Sequence, residues 1–197
     1  AWKEVAQGIA HEIKNPLTPI QLNTQRLKKK YYENKKGFNK IFEESIDIIS
    51  QEVEGMKDLV NEFLRFARMP TPSLKPNSLH EIIDNVYTLY KNNNKNITIK
   101  MNYDPNVTQA NIDAEQFRRI FINFFENSID ALEDNGKIEI STKIDFTANK
   151  IFIRFSDDGA GIPNTDRDKL FLPHFTTKKR GTGLGLAIVN RIVVDHG

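Results

Sequence analysis

Met69-Pro-Thr-Pro-Ser-Leu-Lys-Pro76 puts three prolines into eight residues and divides the 197-residue chain into two unlike halves. Proline lacks a backbone donor and crowds the preceding helical turn, so this run ends a helix and reads as an interdomain linker over 69–77. Upstream, apolar residues recur at helical spacing. Val5, Ile9, Ile13, Leu17, Ile20 and Leu27 form one stripe, and Ile41, Ile46, Ile49, Val53, Met56, Val60, Phe63 and Ala67 form a second. Between them Tyr32-Glu-Asn-Lys-Lys-Gly37 is polar and carries a glycine. The pattern predicts two helices of about 30 residues, roughly 45 Å each, folded back as an antiparallel hairpin over 1–68. Two helices have no third layer to cover their stripes, so pairing of two hairpins into a dimeric four-helix bundle is expected.

Downstream of the prolines the pattern changes. Ser78-Leu-His-Glu81 is a capping-box sequence and predicts a helix through about Lys91, with His80 a surface residue inside the cap. Ile97 to Tyr103 alternates like a strand, Asp113 to Glu133 reads as a long helix, and Lys137 to Ile144 and Lys150 to Ser156 as paired strands. Residues 159–183 are loop-rich, and Leu184 to Val194 form a last apolar helix. The fold class is α+β: the helical hairpin, then an α/β sandwich over 78–197.

Composition excludes several functions. No apolar run approaches the roughly 18 to 20 residues needed to span a bilayer, and the N-terminal residues show no signal-peptide pattern. Cysteine is absent, which rules out disulfides and thiolate metal sites and fits a reducing cytoplasm. A net charge of +2, with acids interleaved among the bases, gives no nucleic-acid footprint; Lys29–Lys30 and Lys35–Lys36 read as solvated helix ends or loop.

Four segments carry chemistry. His11-Glu12-Ile13-Lys14-Asn15-Pro16 lies in the first helix, with His11 and Asn15 on one face and Pro16 expected to bend the helix just beyond the histidine. A neutral imidazole offers one ring nitrogen as nucleophile, while Glu12 can hold the proton on the other, with a merely solvated surface pair as the alternative. Asn15 is placed to orient water toward a phosphorylated ring. Asn123-Phe-Phe-Glu-Asn-Ser-Ile-Asp130 sets Asn123 and Asn127 one turn apart, two carboxamide oxygens suited to Mg²⁺, with plain helix-surface amides as the alternative. Ser156-Asp-Asp-Gly-Ala-Gly-Ile-Pro163 follows an apolar strand. There Asp157 can accept from an adenine amino group, with Gly159 and Gly161 letting backbone approach a ligand; a simple Asp-Gly turn is the other reading. Gly181-Thr182-Gly183-Leu184-Gly185 opens the last helix and exposes N–H groups to phosphate, without the Lys-Ser/Thr of a P-loop. Phe171 to Lys178 reads as a mobile lid with Lys178 reaching the terminal phosphates, and His174 as packing or solvent-exposed.

In that order these segments resemble the H, N, G1 and G2 boxes of the sensor histidine kinases, with Phe171 to Phe175 similar to the F box between the last two. The histidine motif and the Ala-Arg-Met-Pro70 exit look most like the NtrY-like nitrogen-regulation group. The resemblance implies a dimerising phosphotransfer hairpin followed by the ATP-binding Bergerat fold, with ATP and Mg²⁺ as cofactors. It implies His11 as phosphoacceptor, Glu12 as its acid/base partner, Asn15 as a phosphatase residue, Asn127 as metal ligand, Asn123 as a second metal or phosphate contact, and Asp157 as adenine contact. Gly159, Gly161, Gly181, Gly183 and Gly185 match the pocket glycines. The implied partners are a second copy of the chain and a response-regulator receiver domain, with membrane attachment only through segments outside this chain. Hydrolysing relatives carry a glutamate where Asn123 stands, and asparagine cannot act as a general base, so a kinase is expected over an ATPase. A nucleotide-switched scaffold is the reading from another class, and the His11-Glu12 pair argues against it. The family continues past His196-Gly197 with two more strands, whose absence is expected to leave an open sheet edge.

Overall fold

The computed structural model of the chain describes residues 2–33, 37–91, 96–133, 135–173, 175–178 and 181–197, apart from the side chains of 2–7, 9, 11, 65 and 66. Two compact units emerge: Ala1–Met69 with Leu170–Leu184, and Pro70–Lys169 with Gly185–Gly197.

In the first unit, α1 (Trp2–Glu33) packs along α2 (Phe38–Ala67). Gly37 makes the turn into α2 at a φ of 93°, a value that glycine adopts without a Cβ clash. The helix α1 runs on through both Pro16 and Pro19. Ser45 and Leu59 are buried, and Arg26 reaches Glu44 across the hairpin at 3.5 Å. Phe42, Ile46, Val53, Val60 and Leu64 recur on one face of α2 and remain 38 to 51% exposed, so the hairpin by itself leaves an apolar face uncovered.

The second unit runs β1 (Lys75–Asn77), α3 (Leu79–Tyr90), β2 (Ile97–Asn102), β3 (Ala110–Ile112), α4 (Ala114–Leu132), β4 (Gly136–Asp145), β5 (Lys150–Asp157), a 3-10 turn (Asn164–Lys169) and α5 (Gly185–Asp195). The main sheet has the order β2-β4-β5. In it β2 is parallel to β4 (Ile97 opposite Gly136) and β5 is antiparallel to β4 (Ile138 opposite Asp157). The helices α3, α4 and α5 form one layer, with α4 against β4 and β5. Three residues expected in the linker are strand instead: Lys75–Asn77 pair antiparallel with Ala110–Ile112, and Asn77 Nδ2 donates to the Ile112 carbonyl at 2.8 Å. Pro76 is tolerated because this is a two-stranded edge.

Local sequence explains the helix starts. Ser78 caps α3, its Oγ accepting from Glu81 N at 3.3 Å, and Asp113 caps α4 by accepting from Glu115 N and Gln116 N at 3.1 Å. The Asp113 carboxylate also accepts from Ser73 N (2.9 Å), and its own N–H donates to His196 Nε2 (3.0 Å), tying the proline segment and the end of α5 to the start of α4.

The core is aromatic and aliphatic, with Phe121, Phe125, Ile83, Val86, Ile138 and Ile140 fully buried. Phe125 stacks on Tyr90 (5.2 Å between centroids) and meets Phe155 edge-on (5.1 Å). Phe125→Ala is expected to cost about 3–5 kcal/mol, read as a lower urea midpoint with an unchanged slope.

The surface reading of His80 is corrected. Its ring is half-buried, stacked on Tyr103 at 4.1 Å, with Nε2 2.9 Å from the buried Thr142 hydroxyl. The partners arrive from the residue after β2 and from β4, which a cap motif does not foresee. Burial pushes the imidazole below its ordinary 6.5, partly countered by the Asp84 and Asp104 carboxylates. A lowered folded-state value means that the unfolded chain binds the proton more readily, so stability is complete above the unfolded value and is lost as pH falls through the folded one. The thermal midpoint should drop as pH falls below the ordinary imidazole value of 6.5, and His80→Gln should remove that part of the drop.

Candidate functional site

Of the expected site residues, the second unit holds those of one helix, one strand end and three glycines. On α4, Asn123 and Asn127 lie four residues apart on one face, both half-buried. Asn123 Nδ2 donates to the Arg119 carbonyl at 2.8 Å, and its Oδ1 faces Gly185, where an added Cβ would collide with it. Glycine at the first residue of α5 is therefore what lets that helix start against the asparagine.

Asp157 closes β5 and is exposed, yet both carboxylate oxygens are engaged. Oδ2 accepts from the Ser128 hydroxyl at 2.6 Å, and Oδ1 accepts from Gly159 N at 3.1 Å. The turn that follows is pressed onto α4. A Cβ on Gly159 would sit 2.8 Å from the Ala131 carbonyl oxygen, and Ala160 N donates to that same oxygen at 3.3 Å. Asp158 holds the turn from the other side, its Oδ1 accepting from Lys137 N at 2.6 Å. Gly161 takes a φ of 71° in open space. Gly159→Ala should cost about 1–3 kcal/mol, because the contact is backbone that cannot swing aside; the check is a lower thermal midpoint.

The first unit, taken by itself, holds the other expected residues. His11 lies within α1, and its imidazole is outside the described side chains, as are residues 174, 179 and 180 altogether. Glu12 and Asn15 line a cavity of about 670 Å³ together with Pro16, Pro19, Gly181 and Thr182. Thus three residues of the histidine segment and two of the glycine loop share one concavity. In that loop Thr182 Oγ1 accepts from Leu184 N at 3.4 Å, Gly183 takes a φ of 64°, and Leu184 is fully buried. A Cβ on Gly181 would approach Thr176 Oγ1 to 2.6 Å, and Lys178 is exposed on the same turn. Three contributors were not visible in the sequence: Ser128, Asp158 and the Ala131 backbone, which act through contacts to residues far along the chain.

Comparison with known proteins bears on both units. The profile of the His Kinase A (phospho-acceptor) domain matches residues 1–72, and that of the histidine kinase-, DNA gyrase B-, and HSP90-like ATPase matches residues 112–197. Nitrogen regulation protein NtrY of Azorhizobium caulinodans is 35% identical over 204 residues, covering 100% of this chain and 26% of its own length.

The chain belongs to the histidine kinases.

Among solved histidine kinases, the catalytic domain of ThkA aligns with a TM-score of 0.58 and 32% identity over 63% of this chain and 82% of that one. ThkA in complex with the response regulator protein TrrA aligns at 0.73 and 28% identity over 98% of this chain and 55% of that one. The chain spans 26 to 33% of the length of the first curated histidine kinases that it matches. Among the described residues, no helix of this histidine kinase chain is long and apolar enough to cross a membrane.

Proposed function

We propose that this chain is the phosphotransfer core of a sensor histidine kinase, which moves the γ-phosphoryl group of ATP to His11 and from there to an aspartate of a response-regulator receiver domain. The observation that carries the reading is the exposed carboxylate of Asp157, held at a strand end by a glycine turn packed on the helix that bears Asn123 and Asn127. An exposed fixed acceptor beside backbone without side chains suits the edge of a purine.

Each residue then has a task. Asp157 accepts from the adenine amino group, Gly159 and Gly161 keep the pocket wall low, and the loop Gly181 to Gly185 with Lys178 meets the phosphates. Magnesium resting on Asn127, with Asn123 as second contact, would supply charge neutralisation of the phosphates; the donor chemistry fits, since carboxamide oxygens are hard ligands. A ring nitrogen of His11 bonds to the γ-phosphorus as the bond to the bridging oxygen breaks, and ADP leaves with that oxygen. Glu12 holds the proton on the other ring nitrogen. Asn123 offers no base for water, which spares ATP for the histidine.

In this reading residues 1–68 are the phosphotransfer hairpin, 69–77 the connection, its last three residues paired as a strand with the domain that follows, and 78–197 the ATP-binding domain, in the cytoplasm where ATP is available. The exposed apolar face of α2 supports a homodimer, since a second hairpin is the simplest cover for it. The structure of ThkA with its regulator supports the receiver-domain partner.

Incubation with γ-labelled ATP and magnesium should give an acid-labile, base-stable label. A label that persists in His11→Ala overturns the proposal. The exposed Asn15 beside Glu12 favours phosphatase activity as a second property of the same hairpin. Asn15→Ala should reduce dephosphorylation of a receiver domain by about tenfold or more while leaving autophosphorylation within twofold.

A further inference from the structure

Ser128 stands in the interior of α4, where a serine hydroxyl ordinarily bonds back to a carbonyl of its own helix. Thr24 and Thr88 do that here, donating to the Ile20 and Asp84 carbonyls at 2.7 and 2.9 Å. Ser128 reaches out of its helix instead. Its hydroxyl, in a residue only 4% exposed, donates to Asp157 Oδ2 on β5 at 2.6 Å, the short distance of a charge-assisted O–H···O⁻ bond. Three residues on along the same helix face, the Ala131 carbonyl accepts from Ala160 N.

We propose that Ser128 is a positioning residue that sets the base specificity of the nucleotide site. A hydroxyl has one proton, and this one is committed to Asp157. What remains on Ser128 is lone pairs, and what remains on Asp157 after the bonds from Ser128 and Gly159 N is again lone pairs. Among the described side chains, Ser128 and Asp157 therefore present acceptors alone. They fit the exocyclic amine of a 6-aminopurine, which brings two donors, and repel a 6-oxopurine, which presents a carbonyl oxygen. The carboxylate cannot rotate away to relieve a mismatch, because Ser128 fixes one oxygen and the Gly159 amide the other. The inference rests on Asp157 as the base-contacting residue.

The test measures equilibrium binding of ATP, ITP and GTP with magnesium to the 197-residue chain and to three variants. The wild type should bind ATP at least about 30-fold more tightly than ITP or GTP. Ser128→Ala should weaken ATP about tenfold, leave ITP and GTP within twofold, and so narrow the ratio. Ser128→Cys keeps the volume but loses the strong donor, and should match Ala; it decides the matter if the alanine chain does not fold. Equal binding of ATP and ITP by the wild type overturns the proposal without any variant. If Asp157→Asn loses ATP but both Ser128 variants keep it within twofold, Ser128 plays no such part and the Asp157 reading stands. If Asp157→Asn itself binds ATP normally, both readings fall.

Discussion

Exchanging Asp157 for asparagine should weaken Mg-ATP binding by about 100-fold while the protein stays folded. The carboxylate has two donors to satisfy within the protein, Ser128 Oγ–H at 2.6 Å and Gly159 N–H at 3.1 Å. Asparagine has the same shape but only one oxygen. Whichever way the amide lies, its NH₂ group opposes one of those donors, and the charge that strengthens every bond to the ligand is gone. Folding loses about 1–3 kcal/mol from the mismatched donor, a tolerable cost for a domain with this core. The loss in binding is larger because the ligand amine meets a donor where it needs an acceptor. Isothermal titration with ATP measures it, and circular dichroism on the same sample verifies the fold. Affinity within threefold of the parent would remove Asp157 from the site.

His11→Gln should reduce acid-labile labelling to background with ATP affinity unchanged. Glutamine carries an amide where the imidazole had a nucleophilic ring nitrogen, so the acceptor atom is lost while helix propensity is kept. The two variants also complement each other in a way that tests dimerisation. Mixed dimers of His11→Gln and Asp157→Asn chains regain label on the Asp157→Asn subunit where transfer crosses between subunits, and stay unlabelled where it runs within one. The exposed stripe from Phe42 to Leu64 is where such dimers would join. Charged substitution at Val53, in the middle of that stripe, provides the matching monomer control by sedimentation.

Elements with strong local signals were legible in the sequence. The 3.6-residue stripes gave the hairpin, the Ser78 capping box gave the start of α3, and the alternation from Ile97 to Tyr103 gave β2. The elements that were missed share a physical cause. β1 and β3 are three residues each, too short to show alternation, and β1 contains Pro76, which locally argues against a strand. Their pairing sets Asn77 opposite Ala110 and lets the Asn77 side chain reach the Ile112 carbonyl across 35 positions. His80 likewise reads as a cap residue until Tyr103 and Thr142 close over it. At the candidate site, the motif residues stand out in the sequence because their types are chemically demanding. Ser128 was not, since a small polar residue next to Asn127 shows no periodicity and acquires its meaning only from the strand end 29 positions away.

The mixed strand pairing also dictates an order of assembly. β4 and β5 are joined by a short turn and can zip locally, as a hairpin does in microseconds. β2 reaches its place beside β4 only across the intervening β3 and α4, a crossover that must be ordered before its hydrogen bonds form. The slow event in making this domain is therefore the docking of α4 beneath the hairpin. Because Phe125 faces both Tyr90 of α3 and Phe155 of β5, that helix is the piece on which the earlier and later parts of the chain must agree before either is stable.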